Sequence, residues 1–209
     1  MNVKDYIEIR QVGKELNNKI IQSDKKALVY AAKKLGFWYN DKLVTEDEYD
    51  IDILMNFIVF EKGKNAYSQL ERFYDSDVEL SDIEEEIIEA KMDSFPSLFR
   101  LTGIDGKNSL CTFQDLFDEH RTEYQVMDLG FAKSAQEDIL IYSRLIPIRD
   151  IHITSGVSFG FMDYDEQRIR KDISSYQFKK RRRLSHTDIY ILMNTKHKQY
   201  SIQIGGIEL

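Results

Sequence analysis

Residues Gly156 to Gly160 read GVSFG, a match to the G-x-S-x-G pattern. In α/β-hydrolases that pattern presents a serine nucleophile on a sharp strand-to-helix elbow, with an acid and a histidine later in the chain. Asp163 or Asp188 and His186 or His197 follow Ser158 here, so a serine hydrolase is one reading. The surrounding pattern opposes it. The preceding segments look like antiparallel strands without crossover helices, and the residues around Ser158 read as one strand continuing through it, where glycines mark bends or bulges. Metal chemistry finds little support. His120, His152, His186 and His197 share no spacing of three or four residues, as paired ligands on one helix would. Asp163 with Asp165, and Asp50 with Asp52, make D-x-D pairs that suit Mg²⁺ in the right surroundings. Favourable charge at a helix start is the plainer account of both. The single Cys111 leaves no internal disulfide and no multi-cysteine zinc site. With no P-loop and no dinucleotide glycine pattern, no cofactor is expected.

The strongest chemical signal is cationic. Lys179, Lys180, Arg181, Arg182 and Arg183 stand in a row in a chain of net charge -7. Such a run can neutralise phosphates, and Tyr176, Phe178 and Tyr190 lie close enough in sequence to stack on bases. Arg168, Arg170 and Lys171 extend the patch along a predicted helix, and Lys196 and Lys198 would add to it from a predicted hairpin tip. The same run would also dock on an acidic protein surface, or serve as a solvated joint. Charge is unevenly spread: residues 45–93 hold 16 acids against 4 Lys/Arg, a net of -12, whereas 167–209 hold 10 Lys/Arg against 3 acids, a net of +7. Two faces of opposite sign are therefore expected, which could engage a partner or a second copy.

The elements that would position these residues change character along the chain. In the first third, "SDKKALVYAAKKLG" predicts a helix capped by Ser23 and stopped by Gly36. "TEDEYDIDILMNFIVFEKG" predicts another, opened by a Thr45–Glu48 capping box, with Tyr49, Ile53, Phe57 and Phe60 near helical spacing. A short helix fits "NAYSQLERFY", with Tyr67, Leu70 and Phe73 on one side, and a Ser81–Glu84 capping box starts a helix with Ile83, Ile87 and Ile88 inward. From "SFPSLF" the pattern becomes that of short antiparallel strands. "SLFRLTGI" and "SLCTF" flank a turn centred on Asp105-Gly106, and "TEYQVMDLGFA", "DILIYSRLIPI", "DIHIT" and "GVSFGFM" supply further strands. Five or six strands in so short a span suggest a small SH3-like or OB-like barrel. "DYDEQRIRKDISSYQF" returns to helix with Ile169, Ile173 and Tyr176 inward, and "DIYILMN" and "QYSIQIGGIEL" flank "TKHK" as a terminal hairpin.

The run "DIDILMNFIVFEKG…YSQLERFYDSDVELSDIEEEIIEAKMDSFPSLFRL…FQDLF…YQVMDLGFAKSAQEDILIYSRLIPI" resembles a group of largely uncharacterised bacterial proteins, many of which carry a small C-terminal SEC-C zinc motif of closely spaced cysteines. The likeness covers roughly residues 50–162, and the zinc motif is missing, since Cys111 stands alone. The resemblance implies this architecture and a non-catalytic binding role. The expected fold is α+β: an acidic helical region at 1–94, a small, mainly antiparallel β-barrel or curved sheet at 95–162, and a basic helix with a C-terminal β-hairpin at 163–209. No apolar run reaches the ~18 residues that a bilayer span needs, and "MNVKDYIEIRQ" is no signal peptide. A cytoplasmic, non-catalytic interaction protein is expected, without membrane contact. Its contact residues are Arg168, Lys171, Lys179, Lys180, Arg181, Arg182 and Arg183. A protein partner or self-association is favoured, with RNA or DNA as the alternative.

Overall fold

The computed structural model describes residues 1–22, 25–63 and 66–200. The chain divides into two compact units, Met1–Asp93 and Ser94–Leu209.

The first unit is helical. It contains α1 (Val3–Gln22), α2 (Lys25–Leu35), a small pair of strands β1 (Trp38–Tyr39) and β2 (Lys42–Leu43), α3 (Glu48–Phe60), α4 (Gln69–Tyr74) and α5 (Asp82–Met92). On α1 the buried residues Tyr6, Ile9, Leu16 and Ile20 recur at helical spacing and form one inner stripe. The middle helix α3 is buried almost all round, from Ile53 and Leu54 to Val59 and Phe60. The helix α2 stops where expected, at Gly36 with φ 81°, a left-handed position that glycine takes without a Cβ penalty. The Ser81–Glu84 box also forms: the Ser81 backbone N–H and hydroxyl both donate to the Glu84 carboxylate, at 2.9 and 2.8 Å. The start of α3 differs from expectation. Asp47, not Thr45, is the N-cap and accepts from the Asp50 N–H at 2.9 Å, while the Asp50 carboxylate reaches back to the Glu46 N–H at 2.9 Å. A shorter acidic side chain closes the cap that the Thr45–Glu48 spacing had suggested. The β1–β2 hairpin went unpredicted, although its sequence carries a signal. Asn40 and Asp41 both hold positive φ, 48° and 57°, the type I′ geometry these residues tolerate best.

In the second unit β3 (Phe95–Asp105), β4 (Leu110–Asp115), β5 (Glu123–Met127), β6 (Leu140–Ile148) and β7 (Ile151–Phe161) close into a barrel of order β3-β4-β5-β7-β6. All neighbours are antiparallel except β5 and β7, which pair in parallel. A meander, then a hairpin whose second strand lies parallel to the third, is the layout of OB-type barrels. The long first strand β3 pairs with β4 on one side and β6 on the other. Inward residues alternate along the strands, so Phe99, Leu101, Cys111, Phe113, Val126, Ile141 and Leu145 make one core.

Three segments of the barrel depart from the predicted pattern. The turn after β3 is not centred on Asp105-Gly106. Asp105 ends the strand, and its carboxylate accepts the Lys107 and Asn108 N–H groups at 3.1 and 3.2 Å. Ser109 takes the left-handed position, φ 57°. Gly106 is needed instead for close approach, since a Cβ there would lie 3.3 Å from the Ala132 carbonyl oxygen. The strand expected through "TEYQVMDLGFA" ends at Met127, because Asp128 accepts the Gly130 and Phe131 N–H groups, at 2.9 and 3.0 Å. That cap starts the short helix α6 (Leu129–Ser134), which sets Phe131 and Ala132 against the barrel core. "DIHIT" and "GVSFGFM" are a single strand, β7, bulged opposite Ser143–Leu145 with Gly156 at φ 98°.

After a 3-10 turn at Asp163–Asp165 the chain forms α7 (Glu166–Lys180) and α8 (His186–Tyr200). The expected terminal hairpin is thereby corrected: "DIYILMN" and "TKHK" lie in α8. Tyr190, Met193 and Asn194 are buried there and His197 is half-buried, which is the i, i+3, i+4, i+7 face of a helix. A short apolar run is ambiguous between buried helix and strand, and here packing on the barrel decides. Tyr190 sits 5.3 Å and His197 5.5 Å from the Phe159 ring, centroid to centroid. Most of the other expected strand, "QYSIQIGGIEL", lies outside the described residues.

Candidate partner-binding surface

The chemistry suggested by Ser158 lacks its backbone setting. Ser158 sits mid-strand in β7 opposite Ser143, donates to the Ser143 hydroxyl oxygen at 2.9 Å, and is not on a strand-to-helix elbow. Gly156 belongs to the β7 bulge, and Gly160 pairs with Ile141 in the regular ladder. The Asp163–Asp165 pair is engaged in joining α7 to the barrel. Asp163 accepts from Arg100 Nε at 2.9 Å, and Asp165 accepts from the Met162 N–H at 3.3 Å. Among the described residues no group of three or more His, Cys, Asp or Glu is placed to hold a metal ion. His197 turns Nδ1 to the Gly160 carbonyl oxygen at 3.3 Å, and burial, partly opposed by that contact, lowers its pKa. His152 is likewise lowered by burial, in a cluster with Phe95 and Tyr124.

The basic run forms the turn of an αα-hairpin. Helix α7 ends at Arg181 in the left-handed conformation, φ 53°, and its N–H donates to the Phe178 carbonyl at 3.3 Å. Leu184 is buried. Ser185 and Asp188 then form a reciprocal cap on α8: the Asp188 N–H donates to the Ser185 hydroxyl at 3.2 Å, and the Ser185 N–H to the Asp188 carboxylate at 3.0 Å. Arg182 closes over the same carboxylate as a two-pronged pair, at 2.7 and 3.1 Å. Burial raises the Asp188 pKa, but hydrogen bonds from Arg182 and Ser185 outweigh it and hold the carboxyl below its ordinary value. Further back, Lys196 of α8 pairs with Asp172 of α7 at 2.8 Å and ties the two legs together.

The expected contact residues therefore separate by role. Arg182 is engaged by Asp188. Lys180 lies 4.0 Å from Asp188 and 5.2 Å over the Tyr176 ring. Lys171, Lys179, Arg181 and Arg183 are exposed, and their side chains form no hydrogen bond or ion pair with any described residue. Exposed Arg168 shares the outer face of α7 with Lys171, Phe178 and Lys179, at i, i+3, i+10 and i+11. Phe178 is 85% exposed, an apolar ring followed directly in sequence by five cations. Tyr190, expected as a stacking ring, is buried against Phe159 instead. Lys196 and Lys198 are not at a tip: they lie ten or more residues into α8, about 15 Å from its start. Arg170 braces α7, bonding Glu166 at 2.9 Å and the Leu116 carbonyl at 2.6 Å.

The barrel wall gives a contrast. OB-type barrels bind oligonucleotides across their second and third strands, which here are β4 and β5. Their outward positions carry Thr112, Gln114, Glu123 and Gln125, with neither a cation nor an open ring. The acidic face predicted in the first unit is found on and before α5, where Asp75, Asp77, Glu79, Asp82, Glu85 and Glu89 are exposed.

One family model, that of a family of unknown function (DUF7986), matches residues 1–205. The chain belongs to this family. The DUF7986 match runs through both compact units. No curated protein and no solved structure gives a significant match.

Proposed function

We propose that this chain is a non-catalytic interaction protein of the cytoplasm that docks on an acidic protein surface through the α7–α8 turn. The observation carrying this reading is an exposed apolar ring, Phe178, set among the unengaged cations Lys179, Arg181 and Arg183 on a turn braced by Arg182 and Asp188. Interfaces favour an aromatic anchor with arginines beside it. A braced turn also loses little conformational freedom on binding. Charge around the ring steers encounter with a partner of opposite sign. The acidic face of the first unit offers a second contact of opposite sign. The likeness to SEC-C-associated proteins points to the same kind of role. A second reading, single-stranded nucleic acid, is favoured by the same ring beside cations. It is disfavoured by the outward surface of β4 and β5, which carries Glu123 but neither a cation nor an open ring.

A photo-crosslinking residue placed at 178 in the intact chain tests this in cells. A discrete protein adduct, lost when Arg181→Ala and Arg183→Ala are added, is expected. An RNA or DNA adduct with the same dependence would move the assignment to nucleic acid. Absence of any adduct that depends on the two arginines would remove the turn as a contact site.

A further inference from the structure

The helical unit holds a groove of about 1090 Å³ between α2, α3 and α4, in the size range of small-molecule sites. Half-buried Val29 and Tyr30 from α2 and exposed Tyr67 line it with apolar surface, over a floor of the buried Phe57 and Ile58 of α3. Its polar lining is one-sided. Among the described residues, Lys26, Lys33, Lys34 and Arg72 line the groove against one carboxylate, the buried Glu61. The chain as a whole is negative, at -7, so this local excess of cations runs against the overall sign. Aromatic rings hold two of the ammonium groups: Lys34 Nζ lies 5.5 Å over the Tyr30 ring and Lys33 Nζ 6.0 Å over the Trp38 ring.

We propose that this groove binds an anionic amphiphile, a long aliphatic chain ending in a carboxylate. The aliphatic chain lies against Val29, Tyr30 and Tyr67, which take its methylenes out of water. The carboxylate meets the cationic rim, where charge-assisted hydrogen bonds fix its end of the ligand. Apolar lining with charge of one sign gathered at the rim matches that ligand in both of its parts.

The test is a fluorescence titration of the full chain with cis-parinaric acid, using its methyl ester as the uncharged control. Saturable binding of the acid is expected, weakened about tenfold or more in the ester and in the double variant Lys33→Glu, Lys34→Glu. A second variant, Ala27→Trp, fills the groove from a half-buried lining position. It should abolish binding while the far-ultraviolet circular dichroism and unfolding midpoint stay unchanged. Equal binding of acid and ester, undiminished binding by Ala27→Trp, or no saturable binding would each overturn the proposal. An acidic amphipathic peptide that binds in an Ala27-sensitive manner while the fatty acid does not would overturn it in favour of a partner helix.

Discussion

Cys111 and Lys91 show how burial sets the chemistry of single side chains. Cys111 is 1% exposed in the barrel core, and burial, with the nearby Asp128 charge, pushes its pKa up to about 12. A thiol reagent at pH 8 should therefore leave the native chain unlabelled and label one thiol after denaturation, as mass spectrometry would show. Lys91 lies between α5 and α1, donating to the Gly13 carbonyl at 3.1 Å and to Asn17 Oδ1 at 2.5 Å. Burial, helped by the Arg10 charge, pushes its pKa down to about 7. Between that value and the unfolded one, near 10.5, the unfolded chain binds more protons than the native chain, so stability rises with pH across this window. Urea unfolding from about pH 7 to pH 10 should show that rise, and Lys91→Met should flatten it.

At the scale of elements, two short signals decide where helices stop and start. Gly36 holds φ 81° with nothing within 4 Å of a built Cβ, so Gly36→Ala should destabilise the chain by conformational strain alone. The expected cost is about 1 to 2 kcal/mol in chemical denaturation. Asp188 starts α8 and holds Arg182. Because its carboxyl is held below the ordinary value, its stabilisation is present at neutral pH and is lost as the pH falls through that lowered value. Asp188→Asn should accordingly cost about 1 to 2 kcal/mol at pH 7. The difference between variant and parent should shrink as the pH is taken from about 5 to 3. These same elements show what could be read in advance. The Ser81–Glu84 box and the Gly36 stop are chemistry between near neighbours, and both form as expected. Residues 188–194 were ambiguous because an apolar run of that length suits a strand or a helix equally, and only packing on the Tyr142, Phe159 and Phe161 rings of the barrel selects the helix. The Ser185–Asp188 spacing was the local clue to it. The basic run could be read as a surface, but not its division of labour, since the pairing of Arg182 with Asp188 depends on how the turn folds.

For the whole molecule, the contrast between the acidic 45–93 segment and the basic 167–209 segment means that the docking proposed for the α7–α8 turn should be sensitive to ionic strength. The yield of the protein adduct formed through position 178 should fall steeply as salt is raised from about 50 to 300 mM, where the screening length drops to a few ångströms. Arg183→Glu should lower the yield at every salt concentration. The barrel topology adds a further constraint. Because β3 pairs on both sides and the five strands close on themselves, little strand edge is left for an incoming chain to extend outside the β5–β7 seam, which holds two residue pairs, and β1–β2, at two residues a strand, is too short to template one. Away from that seam, association by backbone addition to the barrel is closed. Whatever it binds there must be read by side chains, so partner choice can be retuned one residue at a time without disturbing the sheet beneath.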